Sequence, residues 1–190
     1  MNLRLALMSL AAALLWPAVP AWAEKADRSK PLTIEADQPG TLDLIKQVVV
    51  FNGNVVVAQG TMAIRAERVE VRERPDGHRS ATAVGSPGKP AGFKQKRDGV
   101  DETIEGSADR IEYDSRGDVV RFVGGAQVRR LRGNTAADEI TGSVITYDNG
   151  NETFSVQGAA AQPGAASMPG NGRVRVVITP RPDAAASAPR

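Results

Sequence analysis

Few side chains in this sequence could carry out chemistry. His78 is the single histidine, set among turn residues in Asp76-Gly77-His78-Arg79-Ser80, and there is no cysteine. That leaves too few soft ligands for a zinc or redox-metal site. A serine nucleophile in its usual arrangements needs a histidine partner, no Gly-x-Ser-x-Gly elbow is present, and a loop histidine is ordinarily solvated. Asp101, Glu102 and Glu105 could pair for acid–base work, but they fall in a polar hairpin and read as a solvated face. The segments 114–118 (DSRGD) and 148–152 (DNGNE) carry oxygen ligands. Each is shorter than an EF-hand loop and lacks its terminal bidentate glutamate, so Asp and Asn serving turns accounts for them. Gly124-Gly125 lies inside a strand pattern, where it marks a bulge rather than a phosphate loop. The residues oppose enzyme function and call for no metal and no cofactor.

The elements around these residues have a period of two. Leu32, Ile34 and Ala36 share one face of a strand, with Thr33 and Glu35 on the other. In 62–72, Met62, Ile64 and Ala66 alternate with Ala63 and Arg65, and then Val69 and Val71 alternate with Arg68, Glu70 and Arg72. Ile111 and Tyr113, Ile145 and Tyr147, and Val174, Val176 and Ile178 repeat the scheme. The runs are short and punctuated by Gly, Asn, Asp or Pro, which predicts an all-β sandwich, jelly roll or barrel. One loose motif recurs at 66–71 (AERVEV), 108–113 (ADRIEY) and 142–147 (GSVITY) and reads as stacked hairpins. Residues 74–78 form a turn, "GSPGKPAGF" leads into a strand at Phe93, and Asp98-Gly99 turns a hairpin. A short helical turn near "KADRSK" is the one helical feature the mature sequence allows.

The first 23 residues have the layout of a cleaved signal peptide: Arg4, an apolar stretch too short and proline-broken to span a bilayer, and Ala21-Trp22-Ala23. The expected product is an exported, periplasmic chain beginning at Glu24, with one domain over 24–179 and a flexible tail over 180–190. Residues 159–172 are a low-complexity loop. Twenty-four basic residues face 22 acidic ones, and aromatics make up 4%. A nucleic-acid binder would cluster its cations beside stacking aromatics; here they spread along strands opposite acids, so no nucleic-acid partner is expected. Aliphatic side chains must line any interior. A sealed sandwich would bury them against its second sheet, whereas splayed sheets would form an apolar trough worth about 0.8 kcal/mol per buried CH₂ of an acyl chain. Composition leaves both open.

"PLTIEADQ", "VVVFNGNVVVAQGTMAIRAERVEV", "GKPAGF", "IEGSADRIEYD" and "FVGGAQV" together resemble the lipopolysaccharide-transport periplasmic protein A family (LptA, OstA-like) from about Pro31 to Thr179. The resemblance implies an open, slightly twisted antiparallel β-jelly roll. It implies lipid A of lipopolysaccharide bound in the interior, and a head-to-tail homo-oligomer joining an inner-membrane ABC-transporter export complex to an outer-membrane lipopolysaccharide translocon. Matching positions and strand parity make Leu32, Ile34, Phe51, Met62, Ile64, Val69, Phe93, Ile111, Tyr113, Phe122, Ile145 and Tyr147 the candidate groove lining, with plain core packing as the alternative for each. Arg65, Arg68 and Arg72 could meet lipid phosphates, although a solvated outer face suits them better. Leu32 and Ile34 at one terminus, and Val174, Val176 and Ile178 at the other, are candidate oligomer edges, because an unpaired edge is a template for strand addition. Three other readings are the periplasmic part of an inner-membrane-tethered partner in the same system, a structural β-protein that carries nothing, and a periplasmic hydrolase using His78 or Asp101 and Glu102.

Overall fold

The computed structural model describes residues 26–97, 99–158 and 174–179. The signal-peptide, 159–172 loop and 180–190 tail assignments lie outside the described residues. A 3₁₀ turn at Ala26–Ser29 precedes twelve strands: β1 (Leu32–Glu35), β2 (Thr41–Asp43), β3 (Val48–Gln59), β4 (Met62–Glu73), β5 (Arg79–Val84), β6 (Ala91–Lys96), β7 (Glu102–Ala108), β8 (Arg110–Asp114), β9 (Val119–Arg132), β10 (Thr135–Asp148), β11 (Thr153–Gln157) and β12 (Arg175–Ile178). All pairings among them are antiparallel. The alternating runs at Leu32, Met62, Ile111, Ile145 and Val176 all fall in strands. β6 and β7 pair as a hairpin, as expected, and Gly99 in their connection has φ 72°.

Four strands are long, and bulges bend them. In β3 the pair Gly53-Asn54 opposes the single residue Glu67 of β4, and in β9 the pair Gly124-Gly125 opposes Ser143 of β10. All four bulge residues have positive φ (76°, 44°, 81° and 53°), a region that glycine enters freely and asparagine tolerates. The freed carbonyls are used: Asp37 N–H donates to Gly53 O and Asp109 N–H to Gly124 O, both at 2.9 Å. Each long strand therefore serves two layers. The second half of β4 pairs with β5 and its first half with β6, while the first half of β9 pairs with β8 and its second half with β7. β4, β5, β8, β9, β7 and β6 thus close a ring, the middle of a two-layer jelly roll.

The strand pattern is a duplication. β1–β6 and β7–β12 repeat the same pairings around the hairpins β3–β4 and β9–β10, with Phe51 opposite Val69 in one and Phe122 opposite Ile145 in the other. Two copies of the sequence motif, 66–71 and 142–147, occupy equivalent places on β4 and β10. The middle copy runs from the end of β7 into β8. The repeat is therefore a six-strand unit, not the stacked hairpins its spacing suggests; local pattern cannot reveal which strands pair across the bulge.

The core fills the angle between the layers. Phe93 of β6 meets Phe122 of β9 edge to face, with ring centroids 5.7 Å apart, and a Cβ at Gly106 would collide with the Phe122 ring. Phe122 is fully buried at this joint. Phe122→Ala is expected to lower stability by about 3–5 kcal/mol, read as a fall in the urea midpoint with an unchanged slope. A loss below about 1 kcal/mol would contradict that packing.

Candidate functional site

Where the layers diverge, the first unit leaves a hollow of about 280 Å³. Leu32, Val57, Met62 and Ile64 wall it from the β1–β3–β4 layer, and Val71, Ala81 and Tyr113 from the β4–β5–β8 layer. Gln59, His78, Arg79 and Ser115 stand at its rim. A second hollow of about 460 Å³ continues to the β1–β2 edge, between Leu32 and Ile34 on one side and Leu42, Val49 and Val71 on the other. Small-molecule sites typically run to about 300–1,000 Å³, so the two together form a short trough of ordinary size. Period-two alternation turns the apolar face of each strand into the trough, and Lys30, Gln47, Glu73 and Arg79 add polar groups to the lining of the second hollow.

Leu32, Met62, Ile64 and Tyr113 line the first hollow, and Leu32 and Ile34 the second. Phe51 packs half-buried against the core. Val69, Phe93, Ile111, Phe122, Ile145 and Tyr147 are buried on the same inward surface, deeper between the layers. The sequence reading missed Val57, Val71 and Ala81 as walls and His78 and Arg79 as rim. Val71 was legible from its alternation with Arg72; His78 reaches the hollow because the tight turn closed by Arg74 N–H to His78 O (2.8 Å) overhangs it. Arg65, Arg68 and Arg72 are exposed on the outer surface, where Arg68 donates to Asn52 and Arg72 to Glu70.

The second unit ends its inner face differently. Glu102, expected on a solvated face, is only 8% exposed. It accepts from Arg130 (3.2 Å) and Arg132 (3.2 Å) and pairs with Arg97. Arg97 also pairs with Glu152, and Arg130 Nε donates to Asp138 at 2.7 Å. The expectation failed because Glu102 shares strand parity with Ile104, which faces inward, and three arginines, Arg130 and Arg132 of β9 and Arg97 just past β6, gather around it. Burial alone would raise the Glu102 carboxyl, but hydrogen bonds from Arg132 and Arg97 and the charge of Arg130 outweigh it and hold the group below its ordinary value. Nearby, burial and the Glu152 charge push the Tyr147 phenol up to about 12. Its ring stacks on Phe154 at 4.5 Å.

Among the described residues no cluster of His, Cys, Asp and Glu could hold a metal, and no helix is long and apolar enough to cross a membrane. Fold and hollow define the class: a two-layer β-jelly-roll protein with an aliphatic trough between its layers. The chain belongs to the family described as LptA/(LptD N-terminal domain) LPS transport protein, which it matches over residues 33–153. It is 39% identical over 132 residues to lipopolysaccharide export system protein LptA of Escherichia coli K12, covering 70% of each chain. Against LptA of Haemophilus influenzae it is 30% identical over 160 residues, 84% of this chain and 83% of that one. The crystal structure of LptH, the LptA-homologous periplasmic component of the lipopolysaccharide transport device of Pseudomonas aeruginosa, superposes with a TM-score of 0.67 at 27% identity. That match covers 82% of this chain and 99% of LptH. Membership makes this a lipopolysaccharide-transport protein and not an enzyme.

The arginine-ringed carboxylate has a consequence for acid stability. A carboxyl depressed in the folded state contributes stability above its unfolded pKa of about 4.3, and that contribution is lost as pH falls through the lower folded value. Glu102→Gln is expected to cost about 3 kcal/mol at neutral pH, because it strands arginine charge, and to flatten the decline of stability below about pH 4. Equal acid limbs for variant and wild type in chemical denaturation would contradict the assignment.

Proposed function

We propose that this chain is a periplasmic carrier that holds the lipid A acyl chains of lipopolysaccharide between its layers. It passes lipopolysaccharide from the inner-membrane ABC-transporter export complex to the outer-membrane translocon, as one link of a head-to-tail homo-oligomer. The observation that carries this is the trough, whose Leu32, Met62, Val71, Ala81 and Tyr113 walls come from both layers and offer acyl chains an apolar surface. No reactive group is needed, since each buried CH₂ contributes about 0.8 kcal/mol. A photoreactive residue at Tyr113 should transfer to lipopolysaccharide, and one at the outward Arg121 should not. Equal transfer from both positions, or none from Tyr113, would remove the carrier reading and leave a scaffold that carries nothing.

The duplication supports the oligomer and gives it a register. Inside the chain the first unit joins the second through Ala81 opposite Tyr113, Phe93 opposite Gly106 and Gln95 opposite Ile104. Equivalent pairings make Val176 and Ile178 the counterparts of Phe93 and Gln95, and Ile34 and Leu32 the counterparts of Gly106 and Ile104. Repeating the seam between copies sets Ile178 opposite Leu32, and Val176 opposite Ile34, of the next molecule. Each of β1 and β12 pairs on one side only among the described residues, and Ile178 is 73% exposed. Unpaired edges of this kind accept a strand, and a heterologous joint propagates. The sequence has no cysteine of its own, so a Leu32→Cys/Ile178→Cys variant should give a ladder of disulfide-linked oligomers on mild oxidation. Leu32→Cys/Val177→Cys should give no disulfide-linked ladder, because a one-residue shift points the thiol to the opposite face. The reverse result would rule out this register.

A further inference from the structure

The two units are built alike, yet their layers end differently. At the mouth of the first stand Leu32, Gln59, Met62 and Val71 around a hollow. The duplicated pairings place Ile104, Arg130, Asp138 and Tyr147 at the equivalent positions of the second. Phe154 stands where the first unit has Ala81, and it stacks on Tyr147. Larger rings and charged groups thus occupy space that the first unit leaves to a ligand. One ion pair crosses from layer to layer there: Arg97, at the end of β6, meets Glu152, in the turn between β10 and β11. Arg97 is held from behind by buried Glu102.

We propose that Arg97 and Glu152 form a clasp across the filled mouth of the second unit, and that its parting opens a path for acyl chains toward the β11–β12 edge. The clasp rests on the carrier reading above, but its geometry does not. Its two ends differ in how firmly they are held. Arg97 is 19% exposed and keeps Glu102 as a partner when Glu152 lets go, whereas Glu152 is 45% exposed on a turn. Parting therefore leaves Arg97 paired and returns Glu152 to water, avoiding the cost of a buried uncompensated charge. A partly exposed pair is worth little enough to be broken by a ligand that gains aliphatic burial. The charged groups inside also satisfy one another in a chain, Asp138 to Arg130 to Glu102 to Arg97. Asp138 Oδ1 is the exception: it is buried and takes no hydrogen bond, so the network is not saturated in the closed state.

The test uses the full chain, purified lipopolysaccharide and an azidophenylalanine at Tyr113 or at Phe154, which preserves an aromatic ring at the hollow and at the clasped mouth. Wild type should label strongly from position 113 and weakly from 154. Glu152→Gln should raise labelling at 154 by about three- to fivefold, the scale of losing one partly exposed ion pair, and leave 113 unchanged. Arg97→Lys, which keeps the charge, should stay near wild type. Equal labelling at 154 with and without Glu152→Gln would overturn the clasp. Absence of labelling at 113 in every variant would instead sink the carrier reading, and spin labels at Lys96→Cys and Asn151→Cys then decide the clasp without lipid. Glu152→Gln must lengthen and broaden the distance between them, and an unchanged distribution overturns the proposal.

Discussion

The architecture depends on two places where a long strand carries one residue too many. At Gly53-Asn54 and Gly124-Gly125 the chain takes positive φ, and two residues face one. A flat strand of 12 or 14 residues would build one broad sheet with one apolar face and nothing to bury it against. The bulge bends each strand so that its two halves enter different layers, and the sheet buries its own face. The surroundings hold the bends in place. Asn54 Nδ2 donates to Asp37 and Lys89 Nζ to Asn54 Oδ1, while a Cβ on Gly124 would collide with Asp109.

From that bend follow both the closed middle and the open ends. The ring through β4, β5, β8, β9, β7 and β6 leaves no free edge where the units meet, and Phe93 and Phe122 fill its centre. Among the described residues β1 and β2 at one end and β11 and β12 at the other each pair on one side only. Leu44 and Ile45, in the turn beside β2, are also exposed, Ile45 at 95%. In the internal seam the equivalent turn is engaged: Arg79 N–H donates to Ser115 Oγ at 2.8 Å, and Arg116 pairs with Asp76. An exposed apolar turn at one end therefore has the place of a contact already made once within the chain.

The strands at Leu32, Met62, Ile111, Ile145 and Val176 were legible from alternation, and so was the bulge at Gly124-Gly125, whereas β2 and β5 were not. The bend itself was also written in the sequence, as a change of phase. In β4 the inward residues are Met62 and Ile64, then Val69 and Val71, an even set followed by an odd one. In β10, Ile140 and then Ile145 and Tyr147 repeat the slip. The slip is visible in one strand, but its meaning depends on the partner strand, whose extra residue absorbs it. The charged cluster was harder to see. Glu102 lies two residues from Ile104 and so shares its face, but parity cannot show that Arg130 and Arg132 would arrive beside it from β9. His78 illustrates the same limit: its turn was recognised, and its position over the hollow is set by which layer lies below.

The contrast between the two mouths follows from what each kind of interaction does to a moving ligand. Hydrophobic burial is non-directional, so in the proposed carrier an acyl chain sliding from Met62 and Val71 toward the core would exchange one apolar wall for another at little change in free energy. A hydrogen-bonding group aimed into such a trough would hold a ligand at one point; Leu32, Val57, Met62, Ile64, Val71 and Ala81 have no such group on their side chains, and the polar lining residues are Gln59, His78, Arg79 and Ser115 in the first hollow and Lys30, Gln47 and Glu73 in the second. Directed interactions are concentrated instead in the second unit, and there the charges are spent on each other: Glu102 on three arginines, Asp138 on Arg130. A network that is nearly complete among its own members stiffens the end of the groove and has little left with which to grip an aliphatic chain. In the proposed carrier, movement and closure would thereby fall to different forces within one duplicated frame.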